Sequence, residues 1–126
     1  MENRHLEIAL RMQAEAREYI AKAEPIQASE KLYKASEEAI KALAEHFNLS
    51  EWEDAERKGR WTVALLDRVV RRLSEKFPEL PDWWQAAWYV HVEGFHEARL
   101  DVEAVEFRVK DVEKLVALAN KTLQGP

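Results

Sequence analysis

Between Asp82 and Arg99 the chain crowds three tryptophans, one tyrosine, two histidines and two glutamates into one helix-length stretch, DWWQAAWYVHVEGFHEAR. Glu93 and His96 stand at the Glu-x-x-His spacing, which on an α-helix puts both side chains on one face, as di-iron bundle proteins require. Such a centre takes two of these motifs plus two more helix-borne glutamates, and no other expected helix holds a complete second motif. The expected role is therefore a hydrogen-bonded polar patch, with no metal and no cofactor. His91 and His96 are five apart, roughly 140° around an α-helix, so they are expected to diverge, one toward the core or an interface and the other toward the loop at Arg99. His96, Glu97 and Arg99 together offer an acid, a base and an anion binder, the three roles of a hydrolytic site, although no nucleophile stands beside them in sequence. His91 and Glu93 are the matching candidates for a binding role.

A second concentration of chemistry lies just upstream. Seven basic residues (Arg57, Lys58, Arg60, Arg68, Arg71, Arg72 and Lys76) face only Asp67 and Glu75 in the same stretch, a local reversal of the overall charge. Arg68, Arg71 and Arg72 share a helix face, and Trp61 nearby offers a surface on which a base or sugar could stack. The alternative is a solvated face neutralised by acidic helices beside it. In the aromatic stretch, Trp84 and Trp88 are neighbours at i, i+4 while Trp83 sits about 100° away, so this helix needs covering on more than one side. Aromatic residues are enriched at subunit interfaces, and Trp83 or Trp84 is the expected homodimer contact.

Those residues must be held by a scaffold, and the composition says which kind. A chain of 126 residues, 47% hydrophobic and 34% charged, with three glycines and four prolines, is expected to form a single helix-rich domain over residues 1–126 with its own core. With 24 acidic against 19 basic residues the net charge is −5, which does not draw the chain toward nucleic acid or acidic membranes in general. Cysteine is absent, which excludes disulfides, thiolate nucleophiles and cysteine-ligated zinc and fits a reducing compartment. The N-terminus lacks the apolar stretch of a signal peptide, and no apolar run approaches a membrane span. The expected location is the cytoplasm.

Apolar residues recur at steps of three and four along most of the sequence. Leu6, Ala9, Met12, Ala16, Ile20 and Ala23 mark a first helix from about residue 3 to 23, and Pro25 marks a new start, because its missing N–H is no loss in a first helical turn. Ile26, Ser29, Tyr33, Ser36, Ile40, Leu43 and Phe47 continue the rhythm in a second helix, where Ala28, Ala35, Ala39 and Ala42 allow a neighbour to approach closely. Asn48 reads as a stop, Ser50 with Glu53 as a capping box opening a short helix, and Gly59 as its end. Trp61, Leu65, Leu66, Val69, Val70, Leu73 and Phe77 form a further face, ended by Pro78 and Pro81. Asp82 with Gln85 reads as a second capping box, opening an α-helix to about Glu97. Asp101 reads as the cap of the last helix, with Leu100 and Val105 as a hydrophobic staple and Val102, Val105, Val109, Val112, Val116, Ala119 and Leu123 as its seam. No segment alternates with period two. The predicted fold is all-α, an up-and-down antiparallel bundle of four main helices plus one or two short ones.

At this point the residues carry a likeness. The second-helix run Ala28-Ser29-Glu30-Lys31-Leu32-Tyr33-Lys34-Ala35 with Ala39, and above all His91-Val92-Glu93-Gly94-Phe95-His96-Glu97-Ala98-Arg99-Leu100, resemble the archaeal PaREP proteins, placed among the HEPN-like helical bundles. The resemblance runs from about residue 8 to 120. It implies an all-α bundle that often pairs into dimers, in a superfamily of nucleotide-associated modules, partners of minimal nucleotidyltransferases and toxin ribonucleases. The nuclease members are marked by Arg followed four to six residues later by His, a pattern this chain lacks, since the nearest arginine before His91 is Arg72. The PaREP branch itself brings no established activity.

Two functional readings follow. One is a non-enzymatic homodimeric module, with a nucleotide or a second protein as partner and the turn from Glu93 to Arg99 as its hub. The other is an RNA-processing or other hydrolytic enzyme, with His96 as acid or base, Glu97 orienting it and Arg99 holding phosphate.

Overall fold

The computed structural model describes residues 3–125, and among these every regular element is helical. Helix α1 spans Arg4–Ala21, α2 Pro25–His46, α3 Ser50–Lys58, α4 Val63–Leu73, α5 Leu80–Tyr89 and α6 Val102–Gln124. Between α5 and α6 the chain does not stay α-helical: Val90–His96 is a π-helical segment.

Helix α2 is the hub, packing against every other element. Its 22 residues run about 33 Å at 1.5 Å per residue. It is buried around most of its circumference, with Ala28, Ala35, Ala39, Ala42 and Ala44 on the sides that neighbours approach and Leu32, Ile40 and Leu43 filling space between them. Small side chains let helix axes come close, which is how one helix accommodates so many partners. Val105, Val109, Val112, Leu115, Val116 and Ala119 of α6 complete the core, so the valine rhythm of the last helix is a buried seam. Bidentate hydrogen bonds from Arg17 to Glu113, at 2.9 and 2.7 Å, join α1 to α6 at the surface.

Several helix ends lie where local chemistry predicts. Pro25 is the first residue of α2, Asn48 takes a left-handed conformation (φ 52°) just past its end, and Gly59 ends α3 at φ 77°. Asp101 caps α6, its carboxylate accepting the Ala104 N–H at 2.8 Å. The two predicted capping boxes do not form. Leu49 is the N-cap of α3, with Ser50 already inside the helix, its hydroxyl 3.5 Å from a Glu51 carboxylate oxygen. Helix α5 starts two residues before Asp82, because Pro81 is compatible with a first turn and draws the start upstream. Helix α4 is shorter than its apolar face: Thr62 caps it, accepting from the Leu65 N–H at 3.2 Å, and it stops at Leu73, with Trp61 and Phe77 packing on the core from flanking loops.

Candidate functional site

The π-helical segment is where the histidines meet. In an α-helix, residues five apart diverge; with one more residue per turn, i→i+5 hydrogen bonding brings them toward one another. The Glu97 N–H accordingly reaches back five residues to the Val92 carbonyl at 2.9 Å, and just past the segment the Arg99 N–H reaches back six, to the Glu93 carbonyl, at 2.8 Å. His91 Nε2 and His96 Nε2 lie 3.1 Å apart. The divergence expected of them is thus overturned, and the reason is backbone register rather than side-chain choice. The same register removes the shared face of Glu93 and His96, because three residues span less of a wider turn.

Two contacts hold this segment on α2. Gly94 is buried against Ser29, and a Cβ built on Gly94 would overlap the Ser29 hydroxyl and come within 2.8 Å of Ser29 Cβ, so only glycine permits this approach. The Ser29 hydroxyl is itself buried without a hydrogen-bond partner among the described residues. His91 lies flat on Tyr33, ring centroids 3.8 Å apart and planes 20° apart, with the Trp88 ring at 5.3 Å and Phe95 at 6.2 Å. One imidazole is therefore stacked on Tyr33 within an aromatic cluster and the other, on exposed His96, is presented to solvent. Burial, and after it the neighbouring His96, push His91 below the ordinary imidazole value, with Glu37 opposing them. Burial, with Glu37 behind it, pushes the Tyr33 phenol well above its usual range.

The carboxylates take other partners. Arg99 holds Glu93 at 3.3 Å and Glu97 at 3.0 Å, so Glu97 orients the guanidinium and not His96, contrary to the role expected of it. His96, Glu97 and Arg99 are brought to one turn, but as an ion cluster beside a histidine pair.

The upstream candidates separate from this site. Arg68, Arg71 and Arg72 line a surface cavity of about 400 Å³ together with Glu51 and Glu75. Arg72 makes a bidentate contact, 3.1 and 2.9 Å, with Glu51, which is 1% exposed and whose carboxyl is held below its usual range by those hydrogen bonds. Arg71 pairs with Asp67 at 3.0 Å. Trp61 is half-buried beside Trp52 and does not line that cavity, so no stacking surface joins the arginines.

Of the expected interface residues, Trp84 is 6% exposed inside the chain's own core, and half-buried Trp83 lines a small cleft with Phe77 and Leu118. The indole left at the surface is Trp88. It lines two adjoining cavities, one of about 440 Å³ with Val63, Ala64 and Gln85, the other of about 360 Å³ with Tyr89, Val92 and Glu93.

Sequence reasoning missed a second histidine site. His5 Nδ1 and Lys41 Nζ each donate to Glu38 at 2.8 Å, and Glu38 is 3% exposed. Burial alone would raise this carboxyl; the two donors overcome it and bring it down to about 2. The signal available was Glu38 itself, a charge three residues after Ala35 and four before Ala42 on the close-packing stripe.

The family model described as the archaeal PaREP1/PaREP8 family matches residues 4–116, nearly the whole chain. The chain belongs to that family. Among solved structures, a crystal structure of a Sulfolobus solfataricus protein is 41% identical, with a TM-score of 0.86, covering 92% of this chain and 96% of that one. A solution structure of a protein described as an open-reading-frame product is 39% identical, with a TM-score of 0.82 and coverage of 94% and 92%. No curated protein matches. Among the described residues, no helix of this family member is long and apolar enough to cross a membrane.

Proposed function

We propose that this chain is a single-domain, non-enzymatic interaction module that works in the cytoplasm as a homodimer, with the face around Phe107 covered by a second copy. The observation that carries the reading is Phe107 itself, 80% exposed in the second turn of α6. A large apolar side chain left in water on an otherwise well-packed helix favours an interface. It is not isolated. The Arg108 guanidinium lies 3.9 Å from the Tyr89 ring centroid and 5.6 Å from that of Phe107, and Tyr89 adjoins Trp88 and, through it, exposed Val63.

Charge placement favours self-association over an unrelated partner. The outward stripe of α6 reads Glu103, Phe107, Lys110, Lys114: acidic before the phenylalanine, basic after it. Antiparallel pairing of two such helices about a twofold axis near Phe107 sets each acidic end against a basic end, which is the self-complementarity an isologous interface requires. The HEPN-like placement implied by the sequence resemblance, with its tendency to pair, agrees with this reading.

Light scattering at micromolar concentration tests it. The expected mass is that of two chains, falling to one for Phe107→Asp with an unchanged circular dichroism spectrum; a wild-type mass of one chain would overturn the proposal. A nucleotide is the competing occupant of the Trp88–Tyr89 cavity. It would declare itself by a saturable change in tryptophan emission with ATP, and a flat trace would exclude it.

The hydrolytic reading retains one observation in its favour: π-helical segments concentrate at functional sites, and this one exposes His96. Against it, His96 faces another imidazole rather than a carboxylate or a nucleophile. Incubation with a mixed RNA pool decides: cleavage lost in His96→Ala supports the enzyme, and equal background in both proteins removes it.

A further inference from the structure

We propose that His91 and His96 form a binding site for a divalent d-block cation of the zinc, nickel and copper kind, with the two Nε2 atoms as its protein ligands. The spacing fits. Metal–imidazole bonds of about 2.0–2.1 Å set two nitrogens of one ion about 2.9 Å apart at a right angle and about 3.3 Å apart at the tetrahedral angle; the observed separation is 3.1 Å. The ring centroids are 4.4 Å apart, little farther than the nitrogens themselves. The rings therefore do not meet head to head, as a linear N–H···N hydrogen bond would have them. The ring planes stand 81° apart, with both Nε2 atoms at the contact.

The surroundings meet the other requirements of a metal site. Ligands must be held in place before the ion arrives, and the Tyr33 stack with Trp88 and Phe95 fixes the His91 ring. Ligands must be neutral imidazole, and no acidic side chain pairs with either ring among the described residues, Glu93 and Glu97 being held by Arg99. The ion needs an entry path, which exposed His96 supplies, and the chain carries a net charge of −5. Imidazole nitrogen suits zinc, copper and nickel and discriminates against magnesium and calcium, which take oxygen donors. No third His, Asp or Glu side chain converges on the pair among the described residues, so the remaining coordination positions are open to water or to an external donor.

Calorimetric titration of the full-length protein with ZnCl2 and with NiCl2, about one pH unit above the ordinary imidazole value, tests the site. The expected result is one ion per chain, with affinity at least about tenfold weaker in His96→Ala and in His91→Gln and unchanged in His46→Ala, a histidine that packs on Phe47 and not on the pair. Nitrogen-15 spectra of the imidazoles should show Zn²⁺ shifting the Nε2 resonances of His91 and His96 together. Wild-type protein that takes up no ion saturably, or His96→Ala that binds as tightly as wild type, would overturn the proposal. So would metal-induced shifts at Nδ1 instead of Nε2. Circular dichroism confirms that each variant is folded, and MgCl2 should give no heat of binding.

Discussion

Helix α2 carries a histidine site on each of two sides, and the two are built on opposite principles. Tyr33 and Glu38, five residues apart on an α-helix, point roughly 140° from one another; one stacks on His91 and the other binds His5. His91 and His96 are also five apart, but on a π-helix, and they meet. At Glu38 a buried carboxylate is satisfied by two donors, the Lys41 ammonium and the His5 ring, each at 2.8 Å. At His91 the groups are alike, one of them exposed, and neither has a carboxylate partner among the described residues. A buried carboxylate met by its donors is complete within the fold and explains itself as structure. Two like ligands converging at a surface are complete only with something from outside.

The sharpest way to break this contrast is to remove the partner that makes the first site self-sufficient. Glu38→Leu leaves Lys41 and His5 without the carboxylate they share, and a loss of about 3 kcal/mol is expected in chemical denaturation. A variant as stable as wild type would mean that the network does not hold α1 to α2. At the second site, Gly94→Ala drives a Cβ into Ser29 and should cost about 1–3 kcal/mol. Because relief of that clash must move the π-helical segment, the same variant should separate the two imidazoles, seen as loss of the His91–His96 contact in nuclear Overhauser spectra.

Acid should take the two sites apart in sequence. His91 titrates below its ordinary value of 6.5 in the folded state, so the unfolded chain gains its proton first. The stability it contributes is whole above that value and erodes as the pH falls below it. Glu38, ordinarily 4.5 and here about 2, contributes stability that is whole above 4.5 and lost as the pH falls toward 2. Denaturation midpoints measured across that range should show the upper step missing in His91→Gln and the lower step missing in Glu38→Gln. The smallest effect expected is at Ser29→Ala. Its hydroxyl is buried without a partner, so removing it should be neutral or stabilising by up to about 1 kcal/mol, and a clear loss would reveal a hydrogen bond the hydroxyl does not make here.

Much of the scaffold is legible residue by residue. Pro25, Asn48, Gly59 and Asp101 act through their own backbones and nearest turns, and the valines of α6 mark a buried face by their spacing, so their meaning is read without a fold. The false capping boxes at Ser50 and Asp82 show the limit of that reasoning, since a cap depends on where the preceding residue is already held. Trp84 illustrates the same limit at the surface. Its aromatic character suited an interface, and only the packing of α5 on its neighbours decided that the chain buries it and leaves Trp88 outside.

From the order of its residues alone this protein was bound to be helical, with an apolar seam repeating every three to four positions and breaks at its prolines and left-handed turns, because those properties arise between residues a few places apart. The meeting of His91 with His96 is of another kind. It depends on one added residue in a turn, held there by Gly94 seated on Ser29 and by an imidazole lying on Tyr33, both some sixty positions upstream. Contacts at that separation have no local signature, so only the folded chain could place the two nitrogens side by side.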